Sequence, residues 1–423
     1  MKKKIHCLSL LLFILTIPFF TMACSEKSEI EKTPLQPPVL LPPSITTLSP
    51  DSGTEKTEVT IVGENFGNNM NEVKVAFGSK SATIFFFSRQ KIKVTPPSGE
   101  SNVTVNVTVS VGERVSNKKE FFYVKVDEQI DPKLLVPLAD PFILLHNNLY
   151  YAYGTGSDNG IEVMTSDDLK VWKRGAGKKG GLALHKDDSY GNKWFWAPEV
   201  YFANDKFYMY YSAEEHICVA VSDSPLGPFK QSVHKPMLEG QKAIDNSLFI
   251  DDDGKAYLFF DRFNDGLNIW VAELEDDLMT LKEETMHPCI HVSQNWEKVW
   301  PRVNEGSFVI KHNGVYYMTY SANSYESPFY GIGCATTTDI MGEWTKYSNN
   351  PLLQKPGELV GVGHSAMFKD KDGGWRIVYH AHQSKTKIHP RNMYISKVGF
   401  KNTDGVDKLF IDPNYLTPTL DVK

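Results

Sequence analysis

Three carboxylates and one imidazole open apolar strands at matching places along the chain: Asp140 in DPFILL, Asp245 in DNSLFI, Glu305 in EGSFVI and His364 in HSAMFK. A fifth segment of the same kind, APEVYFA, has Ala197 at that place with Trp196 beside it. Each residue has an ordinary reading by itself, because Asp before Pro, Asp-Asn and Asn-Glu-Gly are all common at turns. Their shared register is harder to give to turns. Unrelated turn residues need not fall at one point of a repeat, and carboxylates crowded together repel one another and lose hydration, which spreads their pKa values apart. A protonated carboxyl beside an ionised one is what cleavage of a glycosidic bond requires. The first gives a proton to the leaving oxygen, the second activates water or attacks the anomeric carbon, and a third acid holds the donor's pKa up.

The elements that must position these side chains form a repeat. Eleven to thirteen residues after each of the five positions (Asp140 to Tyr151, His364 to Ile377) an aromatic strand follows a turn: NNLYYAYG, NDKFYMYYS, DGKAYLFF, NGVYYMTYS and GGWRIVYHA, aligned on Tyr151, Tyr208, Tyr257, Tyr317 and Ile377. Four units add a third strand with a shared ending, as in IEVMTSDDLKVW and IGCATTTDIMGEW, and the fifth keeps only NMYISKVGF. Units of about 50 to 60 residues with several short strands and almost no helical periodicity predict radial repetition, a five-bladed β-propeller over residues 131–423. A solenoid of the same unit is the alternative, but no distinct capping units stand at its ends. In a propeller the first strand of every blade lines the central channel, so three carboxylates and an imidazole would ring one pocket.

Residues 44–126 alternate short β-branched and aromatic runs with Gly, Asn and Pro turns, the spacing of a small immunoglobulin-like β-sandwich. Ahead of it, residues 1–24 have a Lys-rich start, a short apolar core and small residues before Cys24, the anatomy of an export signal. Residues 25–43 are charged and then Pro-rich, a composition that cannot bury a core and reads as a tether. Setting aside Cys7 and Cys24, an odd set of Cys218, Cys289 and Cys334 remains, and no disulfide framework follows. Cys218 and Cys334 lie in strand-like runs, as small buried hydrophobes do. The net charge of −6 is built from mixed signs, which excludes the basic footprint of a nucleic-acid partner. Asp251–Asp253 before Gly254 read as a solvated hairpin turn rather than a calcium loop.

Taken as a set, ADPFILLHNNLYYAYG, WAPEV, AIDNSLFIDDDGKAYLFF, NEGSFVIKHNGVYYMTYS, GHSAMF and HPRNMYI resemble glycoside hydrolase family 43 over roughly residues 131–400. The resemblance implies a five-bladed all-β propeller that inverts configuration on plant glycans. Its substrate would be a polysaccharide or oligosaccharide of arabinan, xylan or a related type. It further implies that Asp140 is the general base for water, Glu305 the general acid, and Asp245 the modulator of the acid's pKa. His364 matches a histidine that helps hold a structural calcium ion through waters; a structural or substrate-contacting histidine is the other reading. No organic cofactor is implied. Arg391 matches an arginine that reaches the sugar, against a surface arginine on the last blade. Trp196 either walls the same subsite or packs between blades, and Glu199 reads as structural. The segment from Ser44 to Gly67 resembles the TIG domain family, and Cys24 after Ala23 resembles the lipidation site of a bacterial lipoprotein, although Thr21 stands where Leu is usual. That implies an exported, monomeric lipoprotein held at the outer membrane, facing the periplasm or the cell surface. The invertase and levansucrase propellers are a retaining rival, disfavoured by ADPF and EGS here. The rival from another class is a surface glycan-binding lipoprotein without activity.

Overall fold

The computed structural model describes residues 41–124, 131, 134–299, 302–403 and 405–421. The signal and lipidation readings, Cys24 included, lie outside the described residues, as does nearly all of the tether.

Residues Ser44 to Tyr123 form two packed sheets, antiparallel except where Ser52–Gly53 pairs parallel with Lys119–Tyr123. Strict alternation builds them: in Val73–Phe77 and Val103–Val111 every second side chain turns inward, and Val75, Phe77, Val107 and Val109 are buried. The inward set closes on Ile61, Ile92, Val94 and Phe121, with Phe77 and Tyr123 edge-on to Phe121 at ring separations of 5.0 and 5.3 Å. The sandwich meets the second domain at Thr54, whose hydroxyl donates to Glu358 Oε1 at 2.9 Å.

The rest of the chain is five antiparallel sheets in sequence, each running from an inner strand outward. The inner strands are Phe142–His146, Trp196–Ala203, Ala243–Ile250, Asn304–His312 and Gly363–Lys369, and each packs against the next, with the last against the first. That cyclic order is the five-bladed propeller. Closure is reinforced by the C-terminal strand Thr419–Leu420, which pairs parallel with Val171–Trp172 of the first blade. The second strands are buried almost throughout: Lys206–Ala213 has only its first residue exposed. Blades flank both of their faces, so the sequence there reads as a continuous aromatic run rather than an alternating one. Several of their tyrosines bond their hydroxyls to backbone carbonyls, Tyr153 donating to Pro225 O at 2.6 Å and Tyr317 to Asp407 O at 2.7 Å.

Cys218 and Cys334 are buried and Cys289 half-buried, all as free thiols. The run Asp251–Asp253 is a hairpin turn, closed by Gly254 N–H on Asp251 O at 2.9 Å. The Asp251 carboxylate is taken up by Lys311 Nζ at 2.6 Å and Tyr316 OH at 2.5 Å.

Candidate active site

Four of the five inner strands are irregular at the channel mouth. The ladder slips between Trp196 and Glu199, Ile244 and Ser247, Glu305 and Phe308, and Gly363 and Ala366. One residue in each blade takes positive φ there: Asp140 (50°), Ala197 (45°), Asp245 (58°), Gly306 (59°) and His364 (50°). A bulge of this kind re-aims a side chain, and four non-glycine residues in left-handed backbone cost of order 1 kcal/mol or more each. The strain therefore needs support from outside the strand.

That support is a ring of hydrogen bonds. The N–H of each left-handed residue is received by a side chain at the end of, or just beyond, the second strand of the preceding blade. Ala197 donates to Thr155 Oγ1 (3.2 Å), Asp245 to Ser212 Oγ (2.9 Å), Gly306 to Asp261 Oδ2 (3.0 Å), His364 to Ser321 Oγ (2.7 Å), and Asp140 to His380 Nδ1 across the closing seam (3.2 Å). The ring corrects one point of register. Glu305 pairs with Ser321 as Trp196 pairs with Ser212, so the blade-four counterpart of Asp140 and Asp245 is Gly306, and Glu305 stands one residue earlier. Counting to the aromatic anchor misses this, because hairpin length absorbs a single residue. Gly306 itself is demanded by positive φ and by the His364 ring, 3.1 Å from where its Cβ would stand.

Asp140, Trp196, Ile244, Asp245, Glu305, Tyr325, His364 and Arg391 line one cavity of about 210 Å³. All three acids, the histidine, the arginine and the tryptophan singled out from sequence thus meet in one place. The first acid is heavily held. Arg391 grips both Asp140 oxygens, Nη1 to Oδ1 at 2.7 Å and Nη2 to Oδ2 at 3.1 Å; the Thr155 hydroxyl donates to Oδ2; His364 Nδ1 lies 3.4 Å from Oδ1. Burial alone would push the Asp140 carboxyl up, but Arg391, then His364 and His380, hold it well below the usual carboxylate range. His380 is fully buried, and burial together with Arg391 pushes its pKa down to about 3, leaving a neutral ring that accepts from Asp140 N–H.

The other two acids go the opposite way. Burial, then the negative charge of Asp140, raises Asp245 to about 7. Burial, then the charge of Asp245, raises Glu305 to about 7, while a 2.6 Å hydrogen bond from Tyr330 OH pulls it down. The outcome is one permanently ionised carboxylate beside two that titrate near neutrality, the separation that acid and base duties require. Tyr325 supports the Arg391 guanidinium, 4.5 Å above its ring. Glu199, on the inner strand of the second blade, accepts from Tyr201 OH, and burial raises it to about 8.

Sequence reasoning did not single out His380, Thr155, Tyr325, Tyr330 or Asp261. A signal existed for two of them. His380 and Asp261 follow the aromatic run of their second strands as Ser212 and Ser321 do, so the repeat already aligned them. Tyr330 and Tyr325 come from the loop between two blade-four strands, which has no counterpart to align. Among the described residues no three His, Cys, Asp or Glu side chains are grouped as metal ligands, and His364 turns Nδ1 toward Asp140 and Asp245. No step below passes through a metal ion.

The sequence profile of glycosyl hydrolases family 43 matches residues 132–406, and that of the IPT/TIG domain residues 43–123. An endo-1,4-β-xylanase from Bacteroides thetaiotaomicron VPI-5482 is 49% identical, with a TM-score of 0.63 over 68% of this chain and 98% of that one. An α-L-arabinofuranosidase from Clostridium thermocellum is 27% identical, with a TM-score of 0.51 over 66% of this chain and 95% of that one. Among curated proteins, a β-D-galactofuranosidase of Aspergillus niger is 26% identical over 57% of this chain and 73% of its own length. An arabinoxylan arabinofuranohydrolase of Bacillus subtilis is 27% identical over 63% of this chain and 61% of its own length. A ring of buried acids at the mouth of a five-bladed propeller, and a profile match along most of the chain, lead to one conclusion: the chain belongs to glycosyl hydrolase family 43, behind an amino-terminal IPT/TIG domain.

Proposed function

We propose that this glycosidase acts by inversion and from chain ends, removing single α-L-arabinofuranosyl groups from plant cell-wall glycans. The observation that carries this is the cavity: about 210 Å³, below the roughly 300–1,000 Å³ that drug-sized ligands occupy, with acids of split pKa on its wall. One pentose ring matches that volume, with Trp196 and Tyr325 as apolar walls.

In this mechanism Asp140, ionised throughout the working range, takes a proton from water as the oxygen attacks the anomeric carbon. The bond to the leaving oxygen breaks, and Glu305 gives that oxygen its proton. Asp245 keeps the proton on Glu305 by its charge. Arg391 has two duties, fixing Asp140 and presenting a cation to sugar hydroxyls. Hydrolysis of arabinofuranosyl, xylosyl and galactosyl substrates, beside arabinan, xylan and arabinogalactan, tests the specificity. Arabinofuranose released singly and first seen by NMR as the inverted anomer is the expected result, and a retained anomer overturns the mechanism. β-Xylosyl specificity is the second reading, favoured by the likeness to the 49% identical xylanase.

The reading extends to export and lipidation at Cys24, checked by labelling cells with a fatty-acid analogue and comparing Cys24→Ser. A calcium ion at His364 belongs to it only in water-held form, checked by metal analysis of the purified protein.

A further inference from the structure

Asp261 has no part in the mechanism above, yet it is a wholly buried carboxyl beside two of the site's acids, Asp245 and Glu305. In the ring of clasps it occupies the place that Ser212 and Ser321 hold in the neighbouring blades, where one hydroxyl suffices to receive an N–H. A carboxyl brings a second oxygen. Asp261 Oδ2 receives Gly306 N–H, but Oδ1 is buried and meets no N–H or O–H donor. The Asp261 and Asp245 carboxyls stand within hydrogen-bonding reach of each other. Two carboxyl groups can share a hydrogen bond only if one holds a proton.

The surroundings decide which one. Asp245 faces the Arg391 charge, and His364 Nδ1 stands 3.9 Å from its Oδ2. Asp261 faces Asp245 and Glu305, both acids, and no Lys, Arg or His lies within ion-pair distance of it among the described residues. The adjacent Arg262 turns away to Gln241 and the Trp270 ring. An ion at Asp261 would be dehydrated, beside two like charges and without a counter-ion.

We propose that Asp261 is a neutral carboxylic acid that positions the acid pair: Oδ2 fixes the backbone just after Glu305, and Oδ1 donates its proton in a hydrogen bond to Asp245. Resting on the family-43 glycosidase reading above, this gives Asp245 the donor that keeps it charged, and a charged Asp245 is what keeps Glu305 protonated. Burial and the two neighbouring acids raise Asp261 well above the ordinary carboxyl range, in accord with that state.

Two variants separate this from a purely structural clasp. Asp261→Asn keeps an acceptor for Gly306 and an N–H donor for Asp245, and carries no titratable proton. Asp261→Ser restores the clasp of the neighbouring blades and deletes only the second donor. For Asp261→Asn the expected result is kcat/KM within about threefold of the parent and an unmoved alkaline limb of the pH profile. For Asp261→Ser, folded and with an unchanged Tm, we expect a loss of about tenfold or more. Its alkaline limb moves to lower pH, because Asp245 then takes up the proton and no longer raises Glu305. An Asp261→Asn limb displaced to lower pH overturns the proposal, since it would show that a charge had been lost; so does an Asp261→Ser enzyme indistinguishable from the parent. Infrared difference spectra at alkaline pD, where Glu305 is ionised, give a readout independent of turnover. The parent shows a protonated-carboxyl C=O band that is missing from Asp261→Asn, and its absence in the parent overturns the assignment. A parent that hydrolyses no substrate but keeps the band refutes the glycosidase reading and leaves Asp261 neutral.

Discussion

Replacing Tyr330 with Phe removes one hydroxyl from the site and nothing from its packing: the ring lies parallel to His380 at 5.7 Å, and the Gly363 backbone runs close against it. The lost contact is the 2.6 Å hydrogen bond from Tyr330 OH to Glu305 Oε1. When Glu305 is ionised, that bond is worth about 1.5–3 kcal/mol; when Glu305 is protonated, the same phenol donates to a neutral carbonyl for about 0.5–1.5 kcal/mol. The difference favours the charged form by roughly 1–1.5 kcal/mol, and at 1.36 kcal/mol per pKa unit its loss raises Glu305 by about one unit. The sign is fixed. Glu305 already stands near 7, so the general acid of Tyr330→Phe stays protonated to higher pH, and the alkaline limb of kcat/KM moves up by about one unit. The limb belongs to the coupled Asp245 and Glu305 pair, and the direction holds for either assignment. The assay is a kcat/KM profile across neutral and alkaline pH, with Tm recorded for both proteins. An unmoved or lowered limb at unchanged Tm refutes the placing of Glu305 as the acid, or its hydrogen bond to Tyr330.

Arg391→Met strips Asp140 of its paired cation, so the acid limb of the profile should rise by about 1–3 units and KM should increase; an unchanged acid limb would remove Asp140 from the role of base. Lys346→Met leaves Glu297, wholly buried against Lys346 Nζ at 2.5 Å, without its counter-ion. The expected cost is about 3–5 kcal/mol, read as a fall in Tm of roughly 10 °C with KM nearly unchanged; a Tm within error of the parent would show that Glu297 had taken up a proton at little cost.

The sequence by itself determined the repeat, and through it the propeller and the meeting of Asp140, Asp245, Glu305, His364, Trp196 and Arg391 at one cavity. Periodic strands carry that information locally, because each blade must bury the same aromatic second strand between its neighbours. The small sandwich was legible for the same reason, its alternation being visible within single strands such as Val73–Phe77.

What only the tertiary structure decided was the job each side chain does. Glu305 stands one position out of register with Asp140 and Asp245, a slip invisible in a count that passes through a hairpin of variable length. Arg391 lies 251 residues from Asp140 along the chain, and their paired hydrogen bonds, which make one acid permanently ionised, exist only after the last blade closes on the first. Tyr330 reaches Glu305 from a loop without a repeat partner. Asp261 could have been aligned with Ser212 and Ser321, but nothing in its sequence context tells that its second oxygen would be buried without a donor. Residue types and spacing supply the acids; their protonation depends on burial and on neighbouring charges, and both are properties of the closed ring rather than of any blade in it.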